Sequence, residues 1–370
     1  MKPPRGIVVV SPGGLARGGG IGSVTRAMVG WLAHAAPATR VAVIDSHGLA
    51  RFLVAAARLI GLRLIGADVL HLQVSEGGSF LRKGMLLRLG LLLGMRTILH
   101  HHGARLVPFL ANSHGPVLWF VRRTLALAHC NLVLGEEVRQ SLLGLGVEAE
   151  RIFVLRNAVP DPGERRSGAK PLHFLLPAVL SRRKGIDCFL RAFAEVTNRH
   201  PDATATVAGE GDPRPYRHLA AQLGIDRHVR FAGWVDWSEL RNLHDRSRAL
   251  VLPSFEEGLP MAIIEALATG LPAVATPVGA IPEVLRDGET ALLVPPGDVA
   301  ALAAAMLRLA ADPQLAESLA GAGRQLYERA FTLDRYMLRL LALYGGDAPG
   351  AAFEPERHDE IGDYRGAAAP

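Results

Sequence analysis

The sequence predicts an α/β protein of two domains, each built on a parallel sheet. Three observations predict it. The chain has 370 residues, long for one core and suited to two. Short β-branched runs alternate with helical stretches in both halves, the pattern of βαβ units, which lay strands side by side in parallel. Near the middle, Pro160-Asp161-Pro162-Gly163-Glu164-Arg165-Arg166-Ser167-Gly168 breaks the alternation with turn-forming and charged residues and reads as a linker.

Taken in order, the first half offers strands at residues 7–10, 41–44, 69–72, 97–99, 132–134 and 152–155. The first strand runs into Pro12-Gly13-Gly14 and Gly18-Gly19-Gly20-Ile21-Gly22, with a helix expected from about Ser23. Glycine lets a backbone turn tightly and approach a ligand closely. A dinucleotide fingerprint nevertheless fails here, since Gly18 and Gly20 are followed by Ser23, and Gly20 and Gly22 by Thr25. The second half offers strands at 172–176, 204–207, 229–231, 249–252 and 273–275, then a late helix over about 333–344. Beyond it, residues 346–370 are rich in Ala, Gly, Pro and charge, bury little, and are expected to be disordered.

Composition narrows the setting. Apolar residues make up 49% of the chain, enough for two cores, yet no apolar run approaches the roughly 20 residues of a membrane span. Met1-Lys2-Pro3-Pro4-Arg5 leads into only a short apolar strand, so no signal peptide is expected and the cytoplasm is the expected compartment. Cys130 and Cys188 lie far apart without metal or redox spacing, as befits reduced, buried thiols. Net charge is +6, unevenly spread. From Gly77 through Gly135 there is no Asp or Glu, while Arg82, Lys83, Arg88 and Arg105 are among the cations. Within that stretch, residues 81–93 alternate cations with Leu and Met as an amphipathic basic helix would. Such a helix suits anionic headgroups or a diphosphate-bearing acceptor. An ordinary helix with snorkelling arginines is the alternative. Nucleic acid is not expected, for no aromatic interleaving or known motif accompanies the charge.

The densest chemistry lies in Pro253-Ser254-Phe255-Glu256-Glu257-Gly258-Leu259-Pro260, continuing Met261-Ala262-Ile263-Ile264-Glu265. A strand ends at Pro253, a short loop carries Glu257, and a helix is expected to open around Gly258 to Pro260. The unpaired amides and dipole of a helix start favour phosphate. Glu257 and Glu265 would be roughly 12 Å apart if helical throughout, placed to accept hydroxyls on either side of a diphosphate.

This stretch resembles the Glu-x7-Glu motif of retaining glycosyltransferases of family 4. Segments 207–212, 230–235, 270–276, 278–283, 287–288 and 293–298 resemble the rest of that family's donor half, and the likeness extends over roughly residues 5 to 345. It implies the GT-B fold: two facing Rossmann-like domains with parallel sheets and an interdomain cleft. Residues 1–165 would bind acceptor and 166–330 the nucleotide-sugar donor, with a helix at 331–345 crossing back to the first domain.

The resemblance also implies roles. Glu265 would bind ribose hydroxyls and Glu257 the sugar. Gly20 and Gly22 would face the donor phosphates, with Gly211, Gly258, Leu259 and Pro260 lining the donor site. Lys184-Gly185 resembles the family's Arg-x4-Lys-Gly, whose cations neutralise the departing diphosphate. Val179 stands where that Arg would be, so Arg183 or Arg182 would have to replace it. His100-His101-His102-Gly103 resembles the family's His-Gly, with His102 reaching the transferred sugar. Ser79-Phe80-Leu81-Arg82-Lys83 is similar to polysaccharide-assembling members and would touch acceptor. Asn157 matches a structural Asn, and Glu283 would back the donor. No Asp-x-Asp is present, so neither a bridging metal nor a cofactor is implied. The implied activity is retaining transfer of a hexosyl or related group. The donor would be a UDP- or GDP-sugar, and the acceptor a glycan or lipid-diphosphate-linked oligosaccharide at the inner face of the cell membrane. A sugar-nucleotide epimerase of the same architecture and a catalytically lost nucleotide-sugar-binding partner are the rivals.

Overall fold

The computed structural model describes residues 4–15, 19–163 and 171–346. The expected tail beyond Gly346, Gly18, and residues 164–168 of the linker lie outside them. Two compact units divide the chain, Met1–Pro160 with Leu333–Pro370 in one and Asp161–Thr332 in the other. The divisions fall at 160/161 and 332/333 rather than at 165/166 and 330/331.

The first unit holds β1 (Gly6–Ser11), β2 (Arg40–Asp45), β3 (Val69–Val74), β4 (Arg96–His101), β5 (Cys130–Val133) and β6 (Ile152–Val154). Its sheet runs β2-β1-β3-β4-β5-β6 with parallel pairing throughout. The order reverses at the β1/β3 boundary, the switch point of a flavodoxin-like sheet. β1 and β3 are buried at every residue, as strands covered on both faces must be. Right-handed crossovers put the helices after β2, β3 and β4 on one face of this sheet. The helix Leu333–Gly345 packs against Gly20–Ala35, which belongs to the β1–β2 crossover and so to the other face. It buries Met337, Leu340 and Leu343, while Arg96 Nε donates to Leu343 O at 2.7 Å and Trp31 Nε1 to Asp334 Oδ1 at 2.5 Å.

The second unit holds β7 (His173–Pro177), β8 (Thr204–Ala208), β9 (Val229–Gly233), β10 (Ala249–Leu252), β11 (Ala273–Ala275) and β12 (Leu292–Leu293). Its order, β12-β11-β10-β7-β8-β9, is the doubly wound Rossmann arrangement with its switch point between β7 and β10. Observed strand ends differ from the expected ones by a residue or two at most. β12, two residues long, was not expected.

Three local expectations need correction. Gly20 and Gly22 lie within the first turn of the helix Gly20–Ala35, not in the loop, because the chain turns into helix at Gly19 (φ +91°). The helix carrying Glu265 is Met261–Thr269, so Gly258, Leu259 and Pro260 precede it and the 12 Å helical spacing does not apply. β4 continues through His101, placing His100 and His101 inside the sheet rather than after it.

Candidate active site

In the second unit the loops leaving β7 and β10 meet at the switch point. Gly185 is left-handed (φ +65°), and a Cβ there would stand 2.0 Å from Pro253 O. Phe255 N donates to Arg183 O, and Arg183 Nη1 donates to Glu256 O, both at 2.8 Å. These contacts bring Lys184 Nζ to 2.5 Å from Glu257 Oε1, which also accepts from Ser254 Oγ at 2.7 Å. Arg183 Nη1 stands 3.8 Å from Glu257 Oε2, giving Arg183, rather than Arg182, a place beside the pair. Val179, where the family pattern has Arg, is 49% exposed. Burial pulls the Lys184 amine down, and Glu257 offsets this only in part.

The loop carrying Glu257 is held from the other side as well. Gly279 (φ +58°) approaches so closely that a Cβ would lie 2.2 Å from Glu257 O, and Ala280 N donates to Gly258 O at 2.9 Å. Thr276 Oγ1 donates to Ser254 O at 2.5 Å. Leu259 is buried, and the helix Met261–Thr269 begins without a side-chain cap. Four residues into it, Glu265 is buried, and desolvation lifts its carboxyl to about 7. Gly211 (φ +131°) packs against Leu180, tying the loop after β8 to the loop after β7. The assembly is a rigid, buried carboxylate–ammonium pair beside an uncapped helix start, an environment for an anion bearing hydroxyl groups. Ser254 was missed in the sequence, although its spacing of three from Glu257 was visible there.

In the first unit the corresponding sheet edge is polar and buried. His71 Nδ1 lies 2.5 Å from Tyr344 Oη, and His71 Nε2 lies 3.2 Å from His100 Nδ1. The His100 and His102 ring centroids are 4.0 Å apart. Desolvation drives His71 and His102 down to about 3 and His101 to about 4, so these rings are neutral at physiological pH. His102 N donates to Val74 O at 2.8 Å, fixing His102 at the sheet edge. Gly103 lies so close to Glu76 that a Cβ would meet Oε2 at 2.1 Å. Among the described residues, Gln73 Nε2, Glu76 Oε2, His100 Nε2 and His102 Nε2 are buried without a hydrogen-bond partner. Glu76 and His71 were missed in the sequence, where nothing local distinguishes them.

The basic helix departs from expectation. The helix Gly78–Leu92 is packed into the first unit, with Phe80, Lys83, Leu86 and Leu87 buried. Lys83 is 1% exposed, donates to Ser79 Oγ at 2.9 Å, and cannot face a membrane. Desolvation lowers its amine to about 8. Arg88 lies over the Phe120 ring at 4.2 Å and donates to Gly84 O and Thr124 Oγ1, so it pins two helices together. Arg82 Nε donates to Ser46 O. Arg105 is exposed just before the helix Leu106–Ala111.

The doubly wound sheet of the second unit gathers cations and carboxylates at its switch point. Residues 172–312 match the family model described as glycosyl transferases group 1. The chain is 33% identical over 217 residues to glycogen synthase of Mycobacterium tuberculosis, covering 57% of this chain and 52% of that protein. It thus spans about half the length of this curated relative. Sucrose-phosphate synthase from Thermosynechococcus elongatus superposes with a TM-score of 0.79 at 20% identity, covering 92% of this chain and 98% of that one. Anabaena Alr3699/HepE, solved in complex with UDP-glucose, superposes with a TM-score of 0.73 at 16% identity, covering 92% and 99%. The chain has the GT-B fold, and residues 172–312 of its second unit are similar to the group 1 glycosyl transferases, in line with the Glu257–Glu265 resemblance.

Proposed function

We propose that the protein is a retaining glycosyltransferase that moves a hexosyl or related group from a UDP- or GDP-sugar to a hydroxyl of a glycan or lipid-linked acceptor, without a metal ion. The observation that carries this reading is the Lys184–Glu257–Ser254 cluster at the β7/β10 switch point. Lys184 and Arg183 would neutralise the diphosphate as the bond from its oxygen to the anomeric carbon breaks. Glu257, held by Ser254, would accept sugar hydroxyls, and Glu265 would accept the ribose hydroxyls. The acceptor oxygen would bond to the same face of the anomeric carbon, its proton passing to the departing phosphate oxygen. Neutral His102 would offer a hydrogen bond to the sugar, not a proton.

The unpartnered polar atoms of Gln73, Glu76 and His102 support an acceptor site on the first unit, with Lys83 within its electrostatic reach. A role in surface polysaccharide assembly rests on the resemblance of Ser79 to Lys83. The rival of a donor-binding partner without turnover draws on Val179, and the nearness of Arg183 to Glu257 weighs against it.

Binding and turnover across a panel of UDP-, GDP- and ADP-sugars test the reading. One donor should bind selectively, weakened by Lys184→Ala and Glu265→Ala, and should yield a product of retained anomeric configuration. An altered sugar nucleotide formed without acceptor would establish the epimerase instead.

A further inference from the structure

A row of polar rings runs through the core of the first unit, from the helix Leu333–Gly345 to the end of the sheet. Tyr344 Oη lies 2.5 Å from His71 Nδ1, and His71 Nε2 lies 3.2 Å from His100 Nδ1. His71 is on β3 and His100 on β4, where His100 pairs in register with Gln73, two residues on from His71. Alternation therefore puts both imidazoles on one face of the sheet. The row ends at His100 Nε2, which is buried and has no partner among the described residues. The centroid of the His102 ring stands 4.0 Å from that of His100. Tyr336, about two turns before Tyr344 on the same helix, stacks on His100 at 6.4 Å.

Such a row can hold its protons in two ways. Burial brings His71 down to about 3 and, with the neighbouring histidines, holds His100 well below its ordinary value; burial holds Tyr344 well above its own. All three groups are neutral, so each imidazole has one N–H and one bare nitrogen, and the phenol has one O–H. If Tyr344 donates to His71 Nδ1, His71 carries its proton on Nε2 and donates to His100 Nδ1. His100 then carries its own proton on Nε2. If the phenol accepts instead, both imidazole protons sit on Nδ1 and His100 ends in a lone pair. Acid and base strength decide between the two. A phenol gives up its proton more readily than a neutral imidazole, and an imidazole nitrogen is the better base, so O–H to N is the stronger bond. The alternative also leaves the phenol proton to Met28 Sδ at 3.6 Å, a weak acceptor.

We infer that Tyr344 is a positioning residue which, through His71, fixes the His100 proton on Nε2 and so makes His100 a hydrogen-bond donor to a sugar oxygen bound by the first unit. A buried N–H without an acceptor is costly, so the site favours a group that brings a lone pair over one that only donates. Tyr344 and His71 act only through His100. That the ligand is a sugar rests on the proposed acceptor site, which His100 extends beyond Gln73, Glu76 and His102. The last helix of the chain thereby governs which hydrogen bonds the sheet of the first unit can offer.

The test is nuclear magnetic resonance of the full chain with isotope-labelled histidine, in which long-range proton–nitrogen spectra separate protonated from bare ring nitrogens. UDP or GDP is present, and methyl glucoside, methyl mannoside and methyl galactoside are the probes. In the wild type His71 and His100 should each show a protonated Nε2 and a bare Nδ1. Tyr344→Phe removes the phenol proton, and His100 should then divide between its two forms; a role confined to packing would leave it unchanged. His71→Gln, whose amide accepts at one atom and donates at the other, should keep His100 protonated at Nε2, whereas His71→Leu should not. At least one glycoside should shift the His100 Nε2 signal, and should bind roughly tenfold more weakly to Tyr344→Phe. A wild type protonated at Nδ1, or a His100 unmoved by Tyr344→Phe, overturns the relay. A His100 signal indifferent to all three sugars overturns the ligand contact and leaves a buried water as the partner of Nε2. Nucleotide binding on the same samples reports on the transferase reading alone, so the loss of either result leaves the other standing.

Discussion

Lys184 Nζ and Glu257 Oε1 stand 2.5 Å apart although 73 positions separate them in the chain. Both side chains are largely buried, so each is the other's principal counter-charge. Removing one member of such a pair strands the other in low dielectric, at a cost of about 3 kcal/mol. Lys184→Ala should therefore lower both the unfolding midpoint and kcat, the latter by roughly 10²- to 10³-fold. Glu257→Gln keeps a group for Ser254 to bond but removes the charge, and should lower the Lys184 pKa further. Unfolding curves and steady-state rates on both variants check this. Unaltered turnover in Lys184→Ala would dismiss the electrostatic role.

Glu265 makes a pH prediction of definite sign. Its folded pKa of about 7 lies above its ordinary value of 4.5 because burial disfavours the charge. Between those values the folded chain retains a proton that the unfolded chain has released. Stability should fall as pH rises from about 4.5 to 7, by about 3 kcal/mol at most, and level off above. Glu265→Gln should flatten that slope. Ribose hydroxyls donating to the carboxylate would favour its ionised form, so donor binding below pH 7 should release a proton. Calorimetry in buffers of differing ionisation enthalpy reads that release, and proton uptake would contradict it.

Gly279 and Gly288 form a matched pair for backbone substitution. Both are left-handed, at φ +58° and +74°, but only Gly279 has a neighbour in the way. Gly288→Ala should cost about 1 kcal/mol from strain alone and leave donor affinity intact. Gly279→Ala must push aside the carbonyl of Glu257, so it should cost at least about 2 kcal/mol and abolish donor binding. Equal effects of the two would mean that the close approach does not position Glu257.

Lys83 should be replaceable with a gain in stability. Its pKa of about 8 lies below the ordinary 10.5, so the cost of burying its charge is full below pH 8 and is relieved as pH rises towards 10.5. Lys83→Met should stabilise the fold at pH 7, by about 3 kcal/mol at most, and the gain should vanish in strongly alkaline solution. If the amine serves an anionic acceptor, the same variant loses transfer while keeping donor binding. Chemical denaturation against pH, with a transfer assay, tests both halves.

The sheets were legible because parallel strands buried on two faces are written as plain apolar runs, as at Gly6–Ser11 and Ala249–Leu252. Leu292–Leu293 was too short to leave such a run. The candidate site was legible because Glu257, Glu265 and Lys184 carry their spacing or neighbours locally. Its assembly was not, since only the strand order brings Lys184 to Glu257. Lys83 misled because a charge within a helix usually marks the wet side, whereas here Lys83 is buried beside Leu86 and Leu87 while Met85 and Leu92 are exposed. His71 and Glu76 had no local signature at all; sheet register alone gathers them with His100 and Gly103.

The return of Leu333–Gly345 to the first unit bears on the order in which the protein is made. That helix leaves the ribosome after every residue of the second unit, which can therefore complete its core first. Until then His71 lacks Tyr344, Arg96 lacks the Leu343 carbonyl, and the helix Gly20–Ala35 lacks the helix that packs against it. A fragment ending at Pro160 would stay in that unfinished condition and should be recovered in aggregates, whereas residues 161–332 carry a sheet without borrowed parts and should be recoverable alone.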